Sequence, residues 1–387
     1  MIGASQATRV PLALYVHLPW CVRKCPYCDF NSHQLKAGRP DASYIDALML
    51  DFEMELARVR GRRIDSVFFG GGTPSLFQPE DFARLLAGLR QRLDFAADAE
   101  ITLEANPGTI ERGRFAGYAQ AGITRVSLGA QSFDAPALKV LGRIHSADDT
   151  HRAVEELRSA KLGNFNLDLM YALPGQTLEA AENDVRIACS LQPSHISYYQ
   201  LTLEPGTVFY SRPPLLPDED AAWQIQLAGQ KLLADAGYDQ YEVSAYAREG
   251  AQCRHNLNYW LFGDYVGIGA GAHGKISLEL PAGILRTSKP KQPRDYQDRL
   301  VRAVPTGEAA YIGTADLPFE FMLNALRLNA GFDRDCYRAR TGLELGFIEE
   351  KLQRARDRGL LEPTPRGWRP TTLGRRFLND LQASFLA

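Results

Sequence analysis

Short runs of apolar and β-branched residues recur along the first half of the chain, separated by segments in which apolar residues fall every three or four positions. The runs, each of which predicts a buried strand, cover residues 14–18, 66–69, 101–104, 125–129, 165–170 and 195–201. The intervening segments, such as residues 44–56, have the spacing of amphipathic helices. Regular alternation of strands with helices favours a parallel α/β architecture, as a barrel or as an open sheet.

The second half of the chain has a less regular pattern. Beyond Pro213, Pro214 and Pro217, it predicts a helix over residues 223–233, a strand over 241–245 and a set of tight turns in the glycine-rich segment 263–274. From residue 318 the predicted order is two helices, a third helix over 347–358 and a short strand over 359–361. This is the order of a winged-helix module.

Together these patterns predict an α/β protein, with a partial (β/α) barrel of the TIM type followed by a smaller α+β domain that resembles a winged helix. The length of 387 residues allows a large domain and a small one. We predict a barrel core over residues 1–240, a connecting region over 241–315 and a C-terminal domain over 316–387.

The charge balance points to no strongly charged partner. The net charge is -2, with 44 Lys and Arg against 46 Asp and Glu, and the third C-terminal helix has mixed charges, which favours protein packing over DNA binding. No apolar stretch approaches the roughly 18 residues of a membrane span, and residues 1–10 lack the layout of a signal peptide. We therefore expect a cytoplasmic protein without a nucleic-acid partner. Peripheral membrane contact and a homodimer stay open.

Three of the six cysteines lie within eight residues, directly after the first predicted strand. Cys21, Cys25 and Cys28 form a CxxxCxxC triplet that can bind three irons of a cubic 4Fe-4S cluster and leave the fourth iron open for a ligand. A zinc site with His33 as the fourth ligand is an open alternative. The other cysteines are scattered and are expected to be small buried residues: Cys189, Cys253 and Cys336.

Conspicuous polar residues fall where predicted strands end, and in a parallel barrel these ends meet at one mouth. They are Gly70-Gly71-Gly72-Thr73, Glu104, Gln131 and Asp168. Glycines at a strand end let a ligand approach the backbone closely, as the amino acid part of S-adenosylmethionine (SAM) on the open iron would require. Glu104, Arg143 and Asp168 form either part of a ligand site or a structural network of salt bridges, because unpaired buried charges are costly.

Aromatic side chains flank the cysteines. Tyr27 lies between the second and third of them, where it either contacts the adenine of a bound cofactor or packs within the loop. Tyr15 and His17 alternate on the first strand, so they point to the same side, toward the cluster or the core.

Six segments together resemble the radical SAM branch of oxygen-independent coproporphyrinogen III oxidases (HemN) and HemW-type heme chaperones. They are Tyr15-Val-His-Leu-Pro-Trp-Cys21, Cys25-Pro-Tyr-Cys28, Gly70-Gly-Gly-Thr-Pro74, Ser127-Leu-Gly-Ala-Gln131, Leu141-Gly-Arg-Ile-His145 and Asp168-Leu-Met-Tyr-Ala-Leu-Pro-Gly-Gln-Thr177. The resemblance implies that Cys21, Cys25 and Cys28 bind the 4Fe-4S cluster. It also implies SAM contacts from Tyr15, Tyr27, Gly71, Gly72, Thr73, Glu104, Gln131, Arg143 and Asp168. No catalytic residue is assigned.

The two branches differ at positions that this chain displays. The oxidase pattern has an extra cysteine two places after the third, where this chain has Phe30. The run His255-Asn-Leu-Asn-Tyr-Trp260 instead matches the HNxxYW element of the chaperone branch, which is linked to heme binding. The resemblance thus implies heme contacts from His255, Tyr259 and Trp260. An imidazole can bind heme iron, and aromatic rings can contact the porphyrin faces.

Other interpretations of this element stay open. In one, His255 satisfies a turn while Tyr259 and Trp260 fill the end of the barrel; in another, Cys253 or His273 is the iron ligand. We expect a heme chaperone that delivers heme to acceptors such as respiratory hemoproteins. The alternatives are a coproporphyrinogen III oxidase, and a redox regulator with a DNA-binding wing.

Overall fold

Residues 10–36, 38, 40, 42–109, 113–278, 283–304 and 306–386 are described by a computed structural model of the chain. The strands are, in chain order, β1 (Leu12–Leu18), β2 (Trp20–Cys21), β3 (His33–Gln34), β4 (Arg63–Gly71), β5 (Asp94–Ala105), β6 (Arg125–Gln131), β7 (Phe165–Tyr171), β8 (His195–Gln200), β9 (Asp239–Gln240), β10 (Ala245–Ala247), β11 (Asp264–Ile268), β12 (His273–Ser277), β13 (Gly283–Ser288), β14 (Glu308–Gly313), β15 (Phe332–Asp333), β16 (Leu361–Pro363) and β17 (Gly367–Pro370). The α-helices are α1 (Ser43–Val59), α2 (Pro79–Arg90), α3 (Arg114–Ala121), α4 (Ala135–Val140), α5 (Ala147–Ser159), α6 (Leu178–Ser190), α7 (Val208–Ser211), α8 (Glu219–Asp235), α9 (Arg254–Trp260), α10 (Pro293–Val301), α11 (Leu317–Ala325), α12 (Arg334–Thr341), α13 (Glu349–Asp357), α14 (Thr372–Arg376) and α15 (Leu378–Ala383). Short 3-10 turns cover Pro74–Leu76, Pro107–Thr109 and Leu345–Ile348.

One large sheet organises the molecule, in the strand order β14-β13-β12-β11-β1-β4-β5-β6-β7-β8-β10-β9. The strands from β11 to β8 pair in parallel. Antiparallel strands extend the sheet at both edges. Among the described residues, β14 and β9 do not pair with each other, so the sheet stays open. The predicted α/β class is confirmed, with a large parallel sheet and no closed barrel.

The helices between parallel strands bury one face against this sheet. In α1, for example, Leu48 and Phe52 are fully buried, as their spacing of four residues on one helix face requires. Helix α5 begins with a capping box in which Ser146 and Asp149 accept each other's backbone N–H groups. Because each helix returns the chain to the same end of the sheet, the carboxyl ends of the parallel strands lie along one edge.

Two predictions for the middle of the chain are wrong. The segment 263–274 was expected to form tight turns, but β11 and the start of β12 occupy most of it, and the turn is confined to residues 269–272. A Cβ at Gly267 would lie 1.9 Å from the His273 carbonyl oxygen, so this glycine permits close approach of two strands and does not mark a turn. The strand expected over 241–245 is a bend between β9 and β10, closed by a hydrogen bond from Tyr241 N–H to the Ala245 carbonyl.

A smaller sheet, β15-β17-β16, packs with α11, α12 and α13 around a second hydrophobic core. This arrangement confirms the winged-helix-like C-terminal part. Phe262 and Ile284 also belong to the second core, whereas Val266 and Ile268 belong to the main one. Residues of the predicted connecting region therefore pack into both cores, and the domain boundaries at 240 and 315 stay predictions. In the part of the chain that the structure describes, no helix has the length and apolar character to span a membrane.

Candidate functional site

The three clustered cysteines line one cavity of about 490 Å³ at the carboxyl edge of the sheet. Cys21 ends β2 immediately after β1, and its carbonyl accepts a hydrogen bond from Leu35 N–H (2.9 Å). Cys25 and Cys28 lie in one turn, in which Cys28 N–H donates to the Cys25 carbonyl (3.2 Å), and both line the same cavity as Cys21. All three cysteines are half-buried and free of disulfides.

The chemistry of this loop fits an iron–sulfur cluster better than a single metal ion. Among the described residues, no three His, Cys, Asp or Glu side chains converge on one ion. A cubic cluster does not need such convergence, because each thiolate binds a different iron. His33, the fourth ligand of the zinc alternative, instead directs Nε2 to the Lys291 carbonyl (3.1 Å). Burial raises the pKa of the Cys21 and Cys28 thiols, so their thiolates need a neighbouring positive charge, which iron would provide.

The glycine segment at the end of β4 presents bare backbone to the cavity. A Cβ at Gly71, whose φ is +115°, would lie 2.5 Å from Cε1 of His17, and a Cβ at Gly72 would lie 2.5 Å from the Trp20 carbonyl oxygen. Neither position accommodates a side chain. Gly72 N–H donates to the Leu18 carbonyl (2.8 Å), and Thr73 N–H donates to that of Trp20 (2.7 Å), which fixes the segment beside the cysteine loop.

Two half-buried carboxyl groups, Glu104 and Asp168, line the first cavity. Burial, with the nearby Asp168, raises the pKa of Glu104 to about 8, although its Oε2 accepts a hydrogen bond from Gly71 N–H (3.1 Å). Burial also raises the pKa of Asp168. Hydrogen bonds from Asn166 Nδ2 (2.7 Å) and Ser127 Oγ (3.1 Å) act in the opposite direction and lower this pKa. Among the described residues, no salt bridge joins Glu104, Arg143 or Asp168. Their arrangement therefore favours a ligand site over the structural network of salt bridges.

Three further predicted SAM contacts line the first cavity: Arg143, Gln131 and Tyr27. Arg143 directs Nη1 toward Cys25 Sγ (3.8 Å) and donates from Nη2 to the Gly129 carbonyl (2.7 Å), while its buried Nε has no partner. Gln131 accepts a hydrogen bond at Oε1 from the Tyr199 hydroxyl (2.6 Å). Tyr27 lines the same cavity and packs against Phe209, with ring centroids 6.4 Å apart.

A second cavity of about 710 Å³ adjoins the first, and Gly71 and Glu104 line both. Tyr15, a predicted SAM contact, lines this second cavity and not the first, and its hydroxyl lies 3.0 Å from Nδ1 of His17. Tyr259 and Trp260 line it as well. The second cavity thus joins strand β1 to the HNxxYW element on helix α9.

His255 does not reach the second cavity, unlike Tyr259 and Trp260. Its side chain is 1% exposed and does not line the second cavity. Nδ1 lies 3.0 Å from Ser66 Oγ, and Nε2 lies 3.0 Å from the Tyr259 hydroxyl, so both ring nitrogens are engaged inside the protein. Burial lowers the pKa of His255 to about 3, which keeps the imidazole neutral. Cys253 is also buried, with Sγ 3.6 Å from Glu100 Oε1.

Several lining residues were not expected from the sequence. In the first cavity, Ser127 and Ser197 lie beside Asp168 on neighbouring strands, and the two-residue alternation of β6 and β8 could have indicated them. In the second cavity, Arg286 and Lys291 come from beyond the glycine-rich segment. No local pattern marks these two residues, because the fold alone brings their segments to the cavity.

Two family profiles and several known proteins are similar to this chain. The sequence profile of the "Radical SAM superfamily" matches residues 15–188, and that of the "HemN C-terminal domain" matches 314–377. "Heme chaperone HemW" of Escherichia coli (strain K12) is 50% identical over 97% of this chain and 98% of its own length. The protein of the same name from Haemophilus influenzae is 48% identical over 97% and 98%. "Radical S-adenosyl methionine domain-containing protein 1, mitochondrial" of Mus musculus is 37% identical over 84% and 75%.

Among solved structures, the coproporphyrinogen III oxidase HemN of Escherichia coli superposes with a TM-score of 0.82, at 22% identity over 98% of this chain and 92% of its own. That likeness establishes a shared fold. The fold and the cysteine loop define a radical SAM protein, a class that implies a 4Fe-4S cluster and SAM. Within that class, the chain belongs to the HemW family.

Proposed function

We propose that the chain is a heme chaperone that binds heme in the second cavity and transfers it to acceptor proteins. The observation that carries the proposal is the adjoining pair of cavities, one lined by the three cysteines and the other by Tyr259 and Trp260. Flat aromatic side chains suit the faces of a porphyrin. The names of the relatives from Escherichia coli and Haemophilus influenzae support the same function.

In this proposal, Cys21, Cys25 and Cys28 hold a 4Fe-4S cluster, and SAM occupies the remainder of the first cavity. When bound, these groups supply one-electron chemistry at the sulfonium of SAM. The backbone of Gly71 and Gly72 admits the amino acid part of SAM, because neither glycine has room for a side chain.

The polar residues of the first cavity bind and orient this cofactor. Glu104 and Asp168 offer carboxyl oxygens to its ammonium and hydroxyl groups, and the unpartnered Nε of Arg143 offers a donor. Thr73, Gln131 and Tyr27 complete the wall. Tyr15 acts from the second cavity, where it stacks on Phe68 at 6.3 Å and holds His17.

A coproporphyrinogen III oxidase is the second candidate. The polar lining of the first cavity, which includes every predicted SAM contact except Tyr15, favours it, since that lining would also support radical chemistry on a porphyrinogen. Phe30 argues against it, because this residue replaces the extra cysteine of the oxidase pattern and lines both cavities with a side chain that is 59% exposed.

One sample decides between the two. Protein reconstituted anaerobically with iron and sulfide is titrated with heme while the Soret band is followed, and is then incubated with coproporphyrinogen III, SAM and a reductant. We expect saturable heme binding and no protoporphyrinogen. Turnover to protoporphyrinogen without heme binding would contradict the proposed chaperone function and support the oxidase function.

Delivery is tested by mixing the heme-loaded protein with an apo form of a respiratory hemoprotein. We propose that transfer takes place in the cytoplasm, where a reducing environment keeps the six free cysteines available. Heme that moves to the acceptor faster than it dissociates into excess apomyoglobin would indicate direct transfer. Equal rates would leave simple release as the mechanism.

A further inference from the structure

The second cavity offers two histidines, and they differ in how their ring nitrogens are used. His17 directs Nε2 to the Asn31 carbonyl (2.8 Å) and Nδ1 to the Tyr15 hydroxyl (3.0 Å). Both nitrogens are therefore occupied, and the side chain is only 5% exposed. A ligand that took either nitrogen would have to break a hydrogen bond that positions the cysteine loop or strand β1.

His273 is the exception. It begins β12 at the wall of the second cavity, its side chain is exposed, and its imidazole makes no hydrogen bond with any described residue. The pKa of His273 is lowered by partial burial and by Lys291 and Arg286, so the ring is neutral at physiological pH. A neutral imidazole with a free nitrogen is the form that binds iron.

The backbone that presents His273 is rigid. Ala270 N–H donates to the Tyr44 hydroxyl (2.8 Å), and Gly269 N–H donates to Asp51 Oδ2 (3.1 Å), both inside the protein. Asn31 Nδ2 donates to the Ala270 carbonyl (2.9 Å), which ties the same turn to the cysteine loop. A ligand on such a support is held in place before the metal arrives, and this lowers the entropic cost of binding.

His255 has the opposite environment. Ligation of heme iron by its Nε2 would break the contact with the Tyr259 hydroxyl and would require a route past the ring of Phe68, whose centroid lies 5.1 Å away. The contact with Tyr259 has a different use. It fixes the ring of Tyr259 at the cavity wall, where that ring also meets Tyr265 edge-on at 4.6 Å.

We infer that heme bound in the second cavity takes His273 as its axial iron ligand, and that His255 is a positioning residue for Tyr259. The inference rests on the proposed heme binding. The new bond forms from the nitrogen lone pair of a neutral imidazole, which displaces the water or hydroxide that the ferric iron carries in solution, so no electron has to be moved. Lys24 and Lys291, exposed at the same cavity, offer ammonium groups to the two propionates of heme.

The test compares three variants with the wild type in titrations with ferric heme, followed by absorption and electron paramagnetic resonance spectra. His273→Ala removes the proposed ligand. His255→Gln keeps a polar group beside Tyr259, and His151→Ala, on the outer helix α5 against Phe133, is the control. We expect His273→Ala to lose the histidine-ligated spectrum and to bind heme about tenfold or more weakly. Added imidazole should restore the spectrum, which it would not do if His273 had only a structural role.

The other two variants should keep the spectrum of the wild type. If His273→Ala retains that spectrum and its affinity, the inference is wrong, whatever happens to His255→Gln. If His255→Gln loses the histidine signature while His273→Ala keeps it, His255 is the ligand and the fold opens to expose it. Absence of heme binding by the wild type would instead overturn the proposed function, so the two failures are distinguishable.

Discussion

The two adjoining cavities are built on different principles. Polar groups of the first cavity come from successive parallel strands, and most have a fixed protein partner, as Asp168 has in Ser127 and Asn166. The second cavity is assembled from distant stretches, and its wall combines aromatic rings with long cationic side chains such as that of Lys291. This difference suits the proposed functions, since a cofactor site would need fixed geometry, whereas a site that releases heme would need apolar contact and adjustable charges.

The sharpest way to separate the cavities is to remove the cluster. In Cys25→Ser, one iron loses its thiolate, and we expect bound iron to fall from about four atoms per chain to near zero after anaerobic reconstitution. Heme affinity should change by less than about twofold, because Cys25 does not line the second cavity. Iron analysis and heme titration measure both. Cys189→Ser, a half-buried cysteine on α6, is the control. Loss of heme binding with the cluster would contradict the separation.

The wall that the cavities share should be the next most sensitive place. Gly71→Ala puts a methyl group 2.5 Å from the His17 ring at a φ of +115°, so both sterics and backbone conformation oppose it. We expect the free energy of unfolding to fall by about 2–4 kcal/mol, measured in urea, with weaker binding of both SAM and heme. Gly163→Ala, where a Cβ meets no atom within 4 Å, should change neither. A Gly71→Ala variant with unchanged stability and unchanged binding would contradict this prediction and would show that the His17 ring can move away from the added methyl group.

Glu104, in the wall that the two cavities share, makes the stability of the fold depend on pH. Because its folded pKa of about 8 lies above the ordinary value of 4.5, the fold favours the protonated form. The stability from this preference is complete below about pH 4.5 and is lost as the pH rises through about 8. In protein without cofactors, we expect Glu104→Gln to become more stable relative to the wild type by about 1–3 kcal/mol between about pH 5 and about pH 8.

Urea unfolding at both pH values measures this difference. Glu179→Gln, an exposed glutamate at the start of α6, should show no such pH dependence. Equal pH profiles for the wild type and Glu104→Gln would show that a hydrogen bond from Gly71 is enough to keep the carboxyl group ionised.

The aromatic wall of the second cavity has a matched control elsewhere. Trp260 lies under the guanidinium of Arg327 at 4.3 Å, and Trp223 lies under that of Arg376 at 4.7 Å, but only Trp260 lines the second cavity. We expect Trp260→Ala to weaken heme binding about tenfold and Trp223→Ala to leave it unchanged. Fluorescence quenching and the Soret band report the affinity. SAM binding should be the same in both variants; a loss confined to SAM would reverse the assignment of the two cavities.

The smallest expected effect concerns the cationic rim. Lys291→Glu places a negative charge where the propionates are proposed to lie, and we expect heme association to slow by about two- to fivefold at low salt, with less effect at high salt. Stopped-flow absorption measures the rate. Lys231→Glu, on the exposed face of α8, is the control. Heme dimethyl ester, whose propionates are uncharged, should not distinguish Lys291→Glu from the wild type. If Lys291→Glu also bound the dimethyl ester more slowly than the wild type, the effect of the substitution would not come from the propionates.

Most residues of the first cavity could be predicted because short sequence motifs mark them. Cys21, Cys25 and Cys28 lie within one short segment, and so do the glycines at the end of β4. The carboxyl ends of parallel strands must also lie together. The second cavity depends on β11, which β-branched and apolar residues form only in part, since Gly267 interrupts the pattern. Once that strand is misread as turns, nothing connects His273 or Lys291 with Tyr15.

His255 shows a different limit of sequence reasoning. The HNxxYW pattern lies on helix α9 at the second cavity, but the direction of one side chain on α9 depends on which face packs against β4. The structure turns His255 inward to Ser66, while Tyr259 and Trp260 remain at the cavity. A spacing of four residues places His255 and Tyr259 on one side of the helix, where they contact each other, and it does not tell which of them meets solvent.

The shared wall of Gly71 and Glu104 offers a route by which the two proposed binding events would be coupled. Any ligand whose arrival shifts the Gly71 backbone or the charge of Glu104 changes the free energy of the other cavity. If SAM changes the affinity for heme by some factor, heme changes the affinity for SAM by that same factor. A carrier with this linkage would not need a separate sensor, because occupancy of the cofactor site would itself set how tightly the cargo is held.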